Sequence, residues 1–177
     1  SIFNVYPQLE NGKWTRVDIH RRDNLTPTRF KAIIGSIKEL VSKGYNINFI
    51  EMSATRFALD HYHLRNEIEK LQKNSNFLFT KVWPEYAHVI EFYESEHCFA
   101  AFTDSGCVQE EMNELGQLCL TCRFNTDRPE TIKDAKTNLI VPPINTEIIV
   151  KMFEHVSKNE VLIKEMISGK KLYGENV

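Results

Sequence analysis

Between residues 103 and 111 the chain reads Thr-Asp-Ser-Gly-Cys-Val-Gln-Glu-Glu, with an apolar run, Cys98 to Thr103, leading into it and a helical pattern following. A turn of small residues between a buried strand and a helix leaves the N–H groups of the first helical turn free, with the positive end of the helix dipole behind them. Gly106 allows the backbone to come close to an anion, and Ser105 adds a hydroxyl donor. The chemistry this suits is the binding of a diphosphate. Glu111 sits about one turn into the helix, so its carboxylate can face the same crevice and accept two hydrogen bonds from a diol such as that of ribose. The same spacing permits a plainer reading, in which Asp104 or Ser105 is only an N-cap and Glu110 and Glu111 are an acidic first turn favoured by the dipole.

The elements around this stretch alternate. Strands are expected at Thr15 to Ile19, Tyr45 to Glu51, Phe77 to Trp83, Cys98 to Thr103, Leu118 to Cys122 and Asn138 to Val141. A helix opens at Thr26-Pro27, carries Phe30, Ile33, Ile34, Ile37 and Leu40 at helical spacing, and ends near Lys43-Gly44. Further helices are expected over Thr55 to Leu71 with a break near His63, Ala87 to Glu94, Cys107 to Leu115, Pro129 to Ala135, Asn145 to Val156 and Glu160 to Ser168. In the helix after Thr103-Asp104-Ser105, the positions Val108, Met112 and Leu115 are expected to pack on the sheet. Strand–helix alternation of this kind predicts an α/β fold: a Rossmann-like parallel sheet of about six strands with helices on both faces, residues 1–177 forming one domain.

In such a sheet ligands bind beyond the carboxyl ends of the strands. The segments to inspect are therefore His20-Arg21-Arg22-Asp23, Met52-Ser53-Ala54-Thr55, Pro84-Glu85-Tyr86, Asp104-Ser105-Gly106 and Arg123 to Arg128. Taken by themselves, His20 reads as a satisfied structural imidazole, Arg128 as one half of a surface ion pair with Asp127 or Glu130, and Arg21 and Arg22 as a solvated or domain-facing patch.

Composition narrows the function classes. The 177 residues carry 22 basic and 24 acidic side chains, a net charge of -2, which gives no electrostatic reason to expect a nucleic acid. No apolar run approaches the roughly 18 residues of a membrane span, and no secretory signal is evident, so the expectation is a cytoplasmic protein without membrane association. The four cysteines, Cys98, Cys107, Cys119 and Cys122, read as reduced thiols. Cys119 and Cys122 have the spacing of a redox or zinc pair, but no second pair exists and the surroundings look like the end of a core strand. No metal site is expected, His61 and His63 included.

Four motifs in order resemble those of the non-hydrolysing UDP-N-acetylglucosamine 2-epimerases. Thr103 to Glu111 with Leu115-Gly116 resembles the signature TDSGG-x-QEE…LG. Arg123 to Glu130, RFNTDRPE, is similar to RDTTERPE, and Val17 to Asn24, VDIHRRDN, to VTxHRREN. Leu172-Tyr173-Gly174-Glu175 resembles the NPYGDG that precedes the last helix of the family. Together they span nearly the whole chain. The resemblance implies the UDP-binding, C-terminal half of a GT-B-like two-domain isomerase that interconverts UDP-N-acetylglucosamine and UDP-N-acetylmannosamine. The route is elimination of UDP to a 2-acetamidoglucal and re-addition with C2 inverted, without a metal or redox cofactor. It places Ser105, Gly106 and Cys107 at the phosphate-binding turn, Glu111 at the ribose, His20 at the diphosphate as the group that helps UDP leave, Arg128 close to the nucleotide, and Glu85 near the uracil. Groups of the His20 and Arg128 type, aimed at a leaving diphosphate, stabilise a transition state more than a ground state. Asp127 and Glu130, three apart, suggest a capping box around Arg128.

The chain also departs from the family pattern. Cys107 replaces the second glycine of the GG pair, and Glu51-Met52-Ser53-Ala54-Thr55 stands where a histidine-proline pair usually precedes the threonine. That histidine belongs to an activating UDP-sugar site in many bacterial members, so activation by substrate is expected to be absent or altered. Asp23 and Asp127 replace glutamates. The chain begins at Ser1 and contains no stretch resembling the family's N-terminal domain with its catalytic carboxylates. The expectation is a domain of a parent roughly twice as long, homodimeric and partnered by its own first domain, with the isolated piece binding UDP weakly and turning over nothing. A hydrolysing 2-epimerase, a GT-B glycosyltransferase domain and a non-catalytic nucleotide-sugar module remain as alternatives.

Overall fold

The computed structural model describes residues 1–174; Glu175, the last residue of the fourth motif, lies outside the described residues. Six strands form one sheet: β1 Trp14–Asp18, β2 Asn46–Glu51, β3 Phe77–Lys81, β4 Cys98–Thr103, β5 Leu118–Thr121 and β6 Asn138–Ile140. Every neighbouring pair is parallel, in the order β3-β2-β1-β4-β5-β6. This is the doubly wound order of a Rossmann-like fold, with its switch point between β1 and β4. The helices are α1 Ile2–Val5, α2 Pro27–Ser42, α3 Ser53–His61, α4 Arg65–Leu71, α5 Tyr86–Glu94, α6 Gly106–Leu115, α7 Pro129–Lys133, α8 Thr146–Ser157 and α9 Glu160–Ile167. Short 3-10 turns occupy Pro7–Glu10 and Arg22–Leu25.

The sheet has an apolar layer on each face. On one side Val17, Ile47, Phe49, Phe102 and Leu120 pack with Phe30, Ile33 and Ile37 of α2 and Ile149, Val150 and Phe153 of α8. On the other Trp14, Ile50, Cys98 and Cys119 pack with Trp83, Phe92, Tyr93 and Met112. Burial from both sides is why the strands read as continuous apolar runs, and burying side chains of this size stabilises the fold by roughly 1.5–3 kcal/mol each. Cys119 and Cys122 belong to opposite layers and are free thiols, so the core reading of that pair holds.

Strand and helix ends depart from expectation by a residue or two, and the long helical stretch is indeed broken, with His63 in a left-handed conformation at φ 55°. Gly116 at φ 66° closes α6 as a left-handed cap. The N-terminal pieces, α1 and the turn Pro7–Glu10, are too short to show a period in the sequence, yet Ile2 and Leu9 are fully buried. Met112, Val108 and Leu115 of α6 pack on the sheet as expected, and the buried face is wider than the apolar spacing shows. Gln109, Met112 and Asn113 are the buried positions, while Val108 and Leu115 are only partly covered. Two polar residues face inward because each finds buried partners, as described below.

β1 carries a buried ion pair. Alternation places Arg16 and Asp18 on one face of the strand. Arg16, 6% exposed, donates from Nη1 to Asp18 Oδ2 at 2.7 Å and to Tyr93 Oη at 3.3 Å, and its guanidinium lies 4.8 Å from the Trp83 ring. Thr103 of β4 donates its hydroxyl to the other oxygen of Asp18.

Candidate functional site at the β1–β4 switch point

Two segments diverge where β1 and β4 end, and Asp104 ties them together. Its buried carboxylate accepts the backbone N–H of His20 (3.2 Å to either oxygen), the N–H of Arg21 at 2.9 Å and Nδ2 of Asn24 at 3.0 Å. Asn24 also donates to the Cys122 carbonyl at 2.8 Å, extending the tie to the end of β5. Burial pushes the Asp104 carboxyl above the usual carboxylate range, and these donors pull it partly back. From the sequence Asp104 had been no more than a possible N-cap; its role in binding the loop after β1 depends on a contact across 84 positions that spacing does not reveal.

The N-cap of α6 is Ser105, which makes no side-chain capping bond, and the helix begins at Gly106. Its first turn contains no acidic residue, so the reading of Glu110 and Glu111 as an acidic first turn does not stand. The helix instead presents bare amides at its start. Arg128 covers this end: a Cβ built on Gly106 would lie 3.8 Å from both Cζ and Nη2 of Arg128. The guanidinium is held by the Glu110 carboxylate and by the Asp127 backbone carbonyl, to which Nη1 donates at 3.1 Å, and not by the carboxylate of Asp127 or Glu130. Asp127 serves Arg123, at 2.9 and 3.0 Å, and Arg21, at 3.3 Å, while Glu130 accepts the Tyr173 hydroxyl. The expected capping box is absent for the same reason. Arg128 is itself the N-cap of α7, and its N–H goes to Thr126 Oγ1 at 2.9 Å.

Gln109 joins these two segments. It is fully buried; Nε2 donates to the Ser105 carbonyl at 3.1 Å, and Oε1 accepts from the Thr126 hydroxyl and from Asn138 Nδ2, the latter at 2.9 Å. Asn138 continues to Thr131 at 3.1 Å and accepts from Thr121 at 2.6 Å. One amide side chain thus fixes the turn before α6 and the turn carrying Arg128 relative to each other. Further along α6, Asn113 accepts the N–H of Leu172 at 2.8 Å and Glu114 that of Tyr173 at 2.6 Å, clasping the segment that follows α9.

Glu111 lies one turn beyond Cys107 and is half-buried. Burial raises its carboxyl above the ordinary value, with the Tyr86 hydroxyl and Arg16 opposing and Asp18 adding to the rise. Tyr86, 62% exposed, donates to Glu111 Oε1 at 2.7 Å, and burial together with that carboxylate pushes the phenol up to about 12. Glu85 is exposed at the N-cap of α5; its neighbour Tyr86, which the sequence did not single out, is the residue that reaches the cluster. His20, its side chain 37% exposed, places Nδ1 3.4 Å from Asp104 Oδ1. Cys107 is exposed on the first turn of α6.

The switch point therefore gathers His20, the Ser105–Gly106–Cys107 turn, Glu111 and Arg128, and leaves Glu85 at the rim. Free helix amides with an arginine beside them can hold a diphosphate, and a carboxylate one turn on can hold a diol. Among the described residues no group of three or more His, Cys, Asp or Glu side chains is placed to hold a metal ion, and no helix is long and apolar enough to cross a membrane.

Known proteins share this fold and sequence. The UDP-N-acetylglucosamine 2-epimerase from Methanocaldococcus jannaschii is 32% identical over 139 residues, covering 77% of this chain and 36% of that protein. The one from Methanococcus maripaludis is 31% identical over 134 residues, covering 74% and 34%. The chain thus spans about a third of the length of these relatives. The structure of UDP-GlcNAc 2-epimerase from Neisseria meningitidis, bound to UDP-GlcNAc, superposes with a TM-score of 0.81 at 24% identity, over 98% of this chain and 44% of that one. The model of the family described as UDP-N-acetylglucosamine 2-epimerase matches residues 3–176, and the chain belongs to that family.

Proposed function

We propose that the chain is the UDP-holding domain of a UDP-N-acetylglucosamine 2-epimerase of the non-hydrolysing type, and that a partner domain of the parent protein completes the active site. The observation that carries this reading is the position of Arg128 over the bare start of α6 at the switch point of the sheet. The diphosphate sits on the amides of Gly106 and Cys107 with the Ser105 hydroxyl, and Arg128 moves part of its charge from Glu110 to the phosphate oxygens. Glu111 takes the ribose diol, with Tyr86 released or shared, and Glu85 and Tyr86 border the base. The UDP-GlcNAc carried by the Neisseria meningitidis relative supports the ligand class.

His20 acts on the leaving group. His20 Nδ1 lies 3.4 Å from Asp104 Oδ1 without a hydrogen bond between them, and the other ring nitrogen, Nε2, donates to the diphosphate. As the C1–O bond of the sugar nucleotide breaks, negative charge builds on UDP. His20, Arg128 and the α6 amides oppose that charge, and a single contact of this kind contributes about 3–4 kcal/mol to such transition states. Re-addition of UDP to the opposite configuration at C2 reverses the same steps. Proton transfer at C2 belongs to carboxylates of the other domain. The parent is read as a cytoplasmic GT-B-like homodimer in which activation by substrate is absent or altered, since Met52-Ser53-Ala54 lacks the histidine of that activating site.

The test is calorimetric and thermal. UDP at millimolar concentration raises the melting temperature of the chain, because a ligand selective for the folded state must. Glu111→Ala and His20→Ala each reduce that shift. The absence of any UDP-specific shift would remove the reading. For the parent protein, formation of UDP-N-acetylmannosamine supports it, whereas free N-acetylmannosamine plus UDP, or a glycoside, overturns the non-hydrolysing assignment.

A further inference from the structure

On the other side of the Asp104 tie lies a notch of about 170 Å³ lined by Arg21, Asp23, Asn24, Arg29, Arg123 and Phe124, with Asn125 at its edge. Three guanidinium groups border this small volume. Arg123, whose side chain is only 10% exposed, shares Asp127 with Arg21, and the Arg21 contact is the longer at 3.3 Å. Arg29 of α2 has no carboxylate or carbonyl acceptor among the described residues. Its guanidinium lies 4.6 Å from the centre of the Phe124 ring, which holds the plane of the group while leaving its N–H edge uncommitted. Among the side chains that line the notch, three arginines face one carboxylate, Asp23, while Asp127 pairs with Arg21 and Arg123.

Phe124 is itself the informative residue. It stands where the RDTTERPE pattern has an aspartate. A carboxylate there would neutralise Arg29; an aromatic ring, 52% exposed, leaves the charge in place and steadies it. Planar guanidinium forks around a small cavity match the oxygens of a phosphate or carboxylate.

The wall of the notch also reaches the nucleotide side. Asn24 Nδ2 is shared between the Cys122 carbonyl and Asp104, and Asp104 holds the amides of His20 and Arg21. We propose that this notch is a second anion site, separate from the surface at Gly106 and Arg128, that takes a small oxyanion on Arg29, Arg21 and Arg123 and thereby steadies the turn carrying His20. Arg21, the loosest of the pairs, is the side chain that turns from Asp127 to the anion.

The experiment follows the arginine Nε–Hε resonances of the isotopically labelled chain by NMR, titrating inorganic phosphate in one arm and acetate in another, with chloride holding ionic strength constant. Saturable shifts of Arg29, Arg21 and Arg123 are expected. They persist in Arg128→Ala and under saturating UDP, and they weaken at least tenfold in Arg29→Gln, a change on a partly exposed side chain. The backbone amide of His20 shifts with the same midpoint. The arm that saturates at lower concentration identifies phosphate or carboxylate as the favoured group. Shifts no larger than those in chloride alone, or shifts abolished by UDP or by Arg128→Ala, overturn the second site. A stationary His20 amide overturns its link to the turn. Failure of UDP to bind while the notch still saturates would count against the nucleotide reading alone.

Discussion

Replacing Gln109 by alanine separates stability from positioning in a way the geometry allows to be worked out. The side chain makes three hydrogen bonds, to the Ser105 carbonyl, the Thr126 hydroxyl and Asn138 Nδ2, all in a fully buried position. Asn138 keeps Thr131 as a second acceptor and Thr126 keeps the N–H of Arg128, so neither is wholly orphaned. The Ser105 carbonyl has no such replacement among the described side chains. Counting about 1 kcal/mol per lost bond, and taking water entering the space to offset part of the further desolvation cost, the loss comes to about 3 kcal/mol. The better helix propensity of alanine returns only a few tenths. For a chain of this size that is a fall in Tm of roughly 6–12 °C. The second consequence is specific to the bridge: the turn before α6 and the turn bearing Arg128 lose their common tether, and UDP affinity falls at least tenfold, or about 1.4 kcal/mol. Thermal melts with and without UDP, together with titration calorimetry at a temperature well below the lower Tm, measure both quantities. A Tm that falls as expected with an unchanged Kd for UDP would refute the claim that Gln109 positions the two turns, and an unchanged Tm would refute the hydrogen-bond accounting itself.

Three further outcomes are expected. The Glu111 carboxyl is raised by burial, so its folded-state pKa exceeds its unfolded one, and the stability that its neutral form contributes is present at low pH and lost as pH rises through the raised value. Glu111→Gln therefore flattens the pH dependence of Tm on the acid side and makes the chain no less stable at neutral pH, while UDP binding weakens; in the unaltered chain UDP affinity drops as pH falls through the same range, because only the ionised carboxylate accepts both hydroxyls of a diol. Gly106→Ala leaves the fold intact, since a Cβ there meets nothing closer than 3.8 Å, and at the helix start it costs no stability, yet the added methyl stands on the phosphate surface and lowers UDP affinity; equal affinity would show that the anion does not approach this backbone. Iodoacetamide labels Cys107 far faster than Cys98, Cys119 or Cys122, which are buried, and UDP slows the reaction; labelling that UDP does not slow would place the nucleotide elsewhere.

Much of the architecture is written in local pattern. The apolar run Cys98 to Thr103, followed by small residues and a helical period, is enough to define a strand, a turn and a helix, and six such strands alternating with helices leave few topologies other than a parallel sheet. The uncapped start of α6, the left-handed Gly116 and the break at His63 follow from residue types that act on their own backbone. Partners far apart in the chain are another matter. Asp104 reads as a cap and is a tie to the loop after β1; Arg128 reads as a partner of Asp127 or Glu130 and pairs with the Glu110 carboxylate; Gln109, one residue of the signature with no role of its own in the local pattern, is the buried link of two turns. That Arg16 and Asp18 form a buried pair with Tyr93, and that Arg29 lies beside Phe124, left no mark in the sequence. Local sequence determines which backbone segments become strands and turns, because those choices depend on dihedral preference and on apolar spacing of two or 3.6 residues. Which polar side chains meet is decided only when the sheet brings the ends of β1, β4 and β5 together, since a hydrogen bond or ion pair depends on distance in space and leaves no period along the chain.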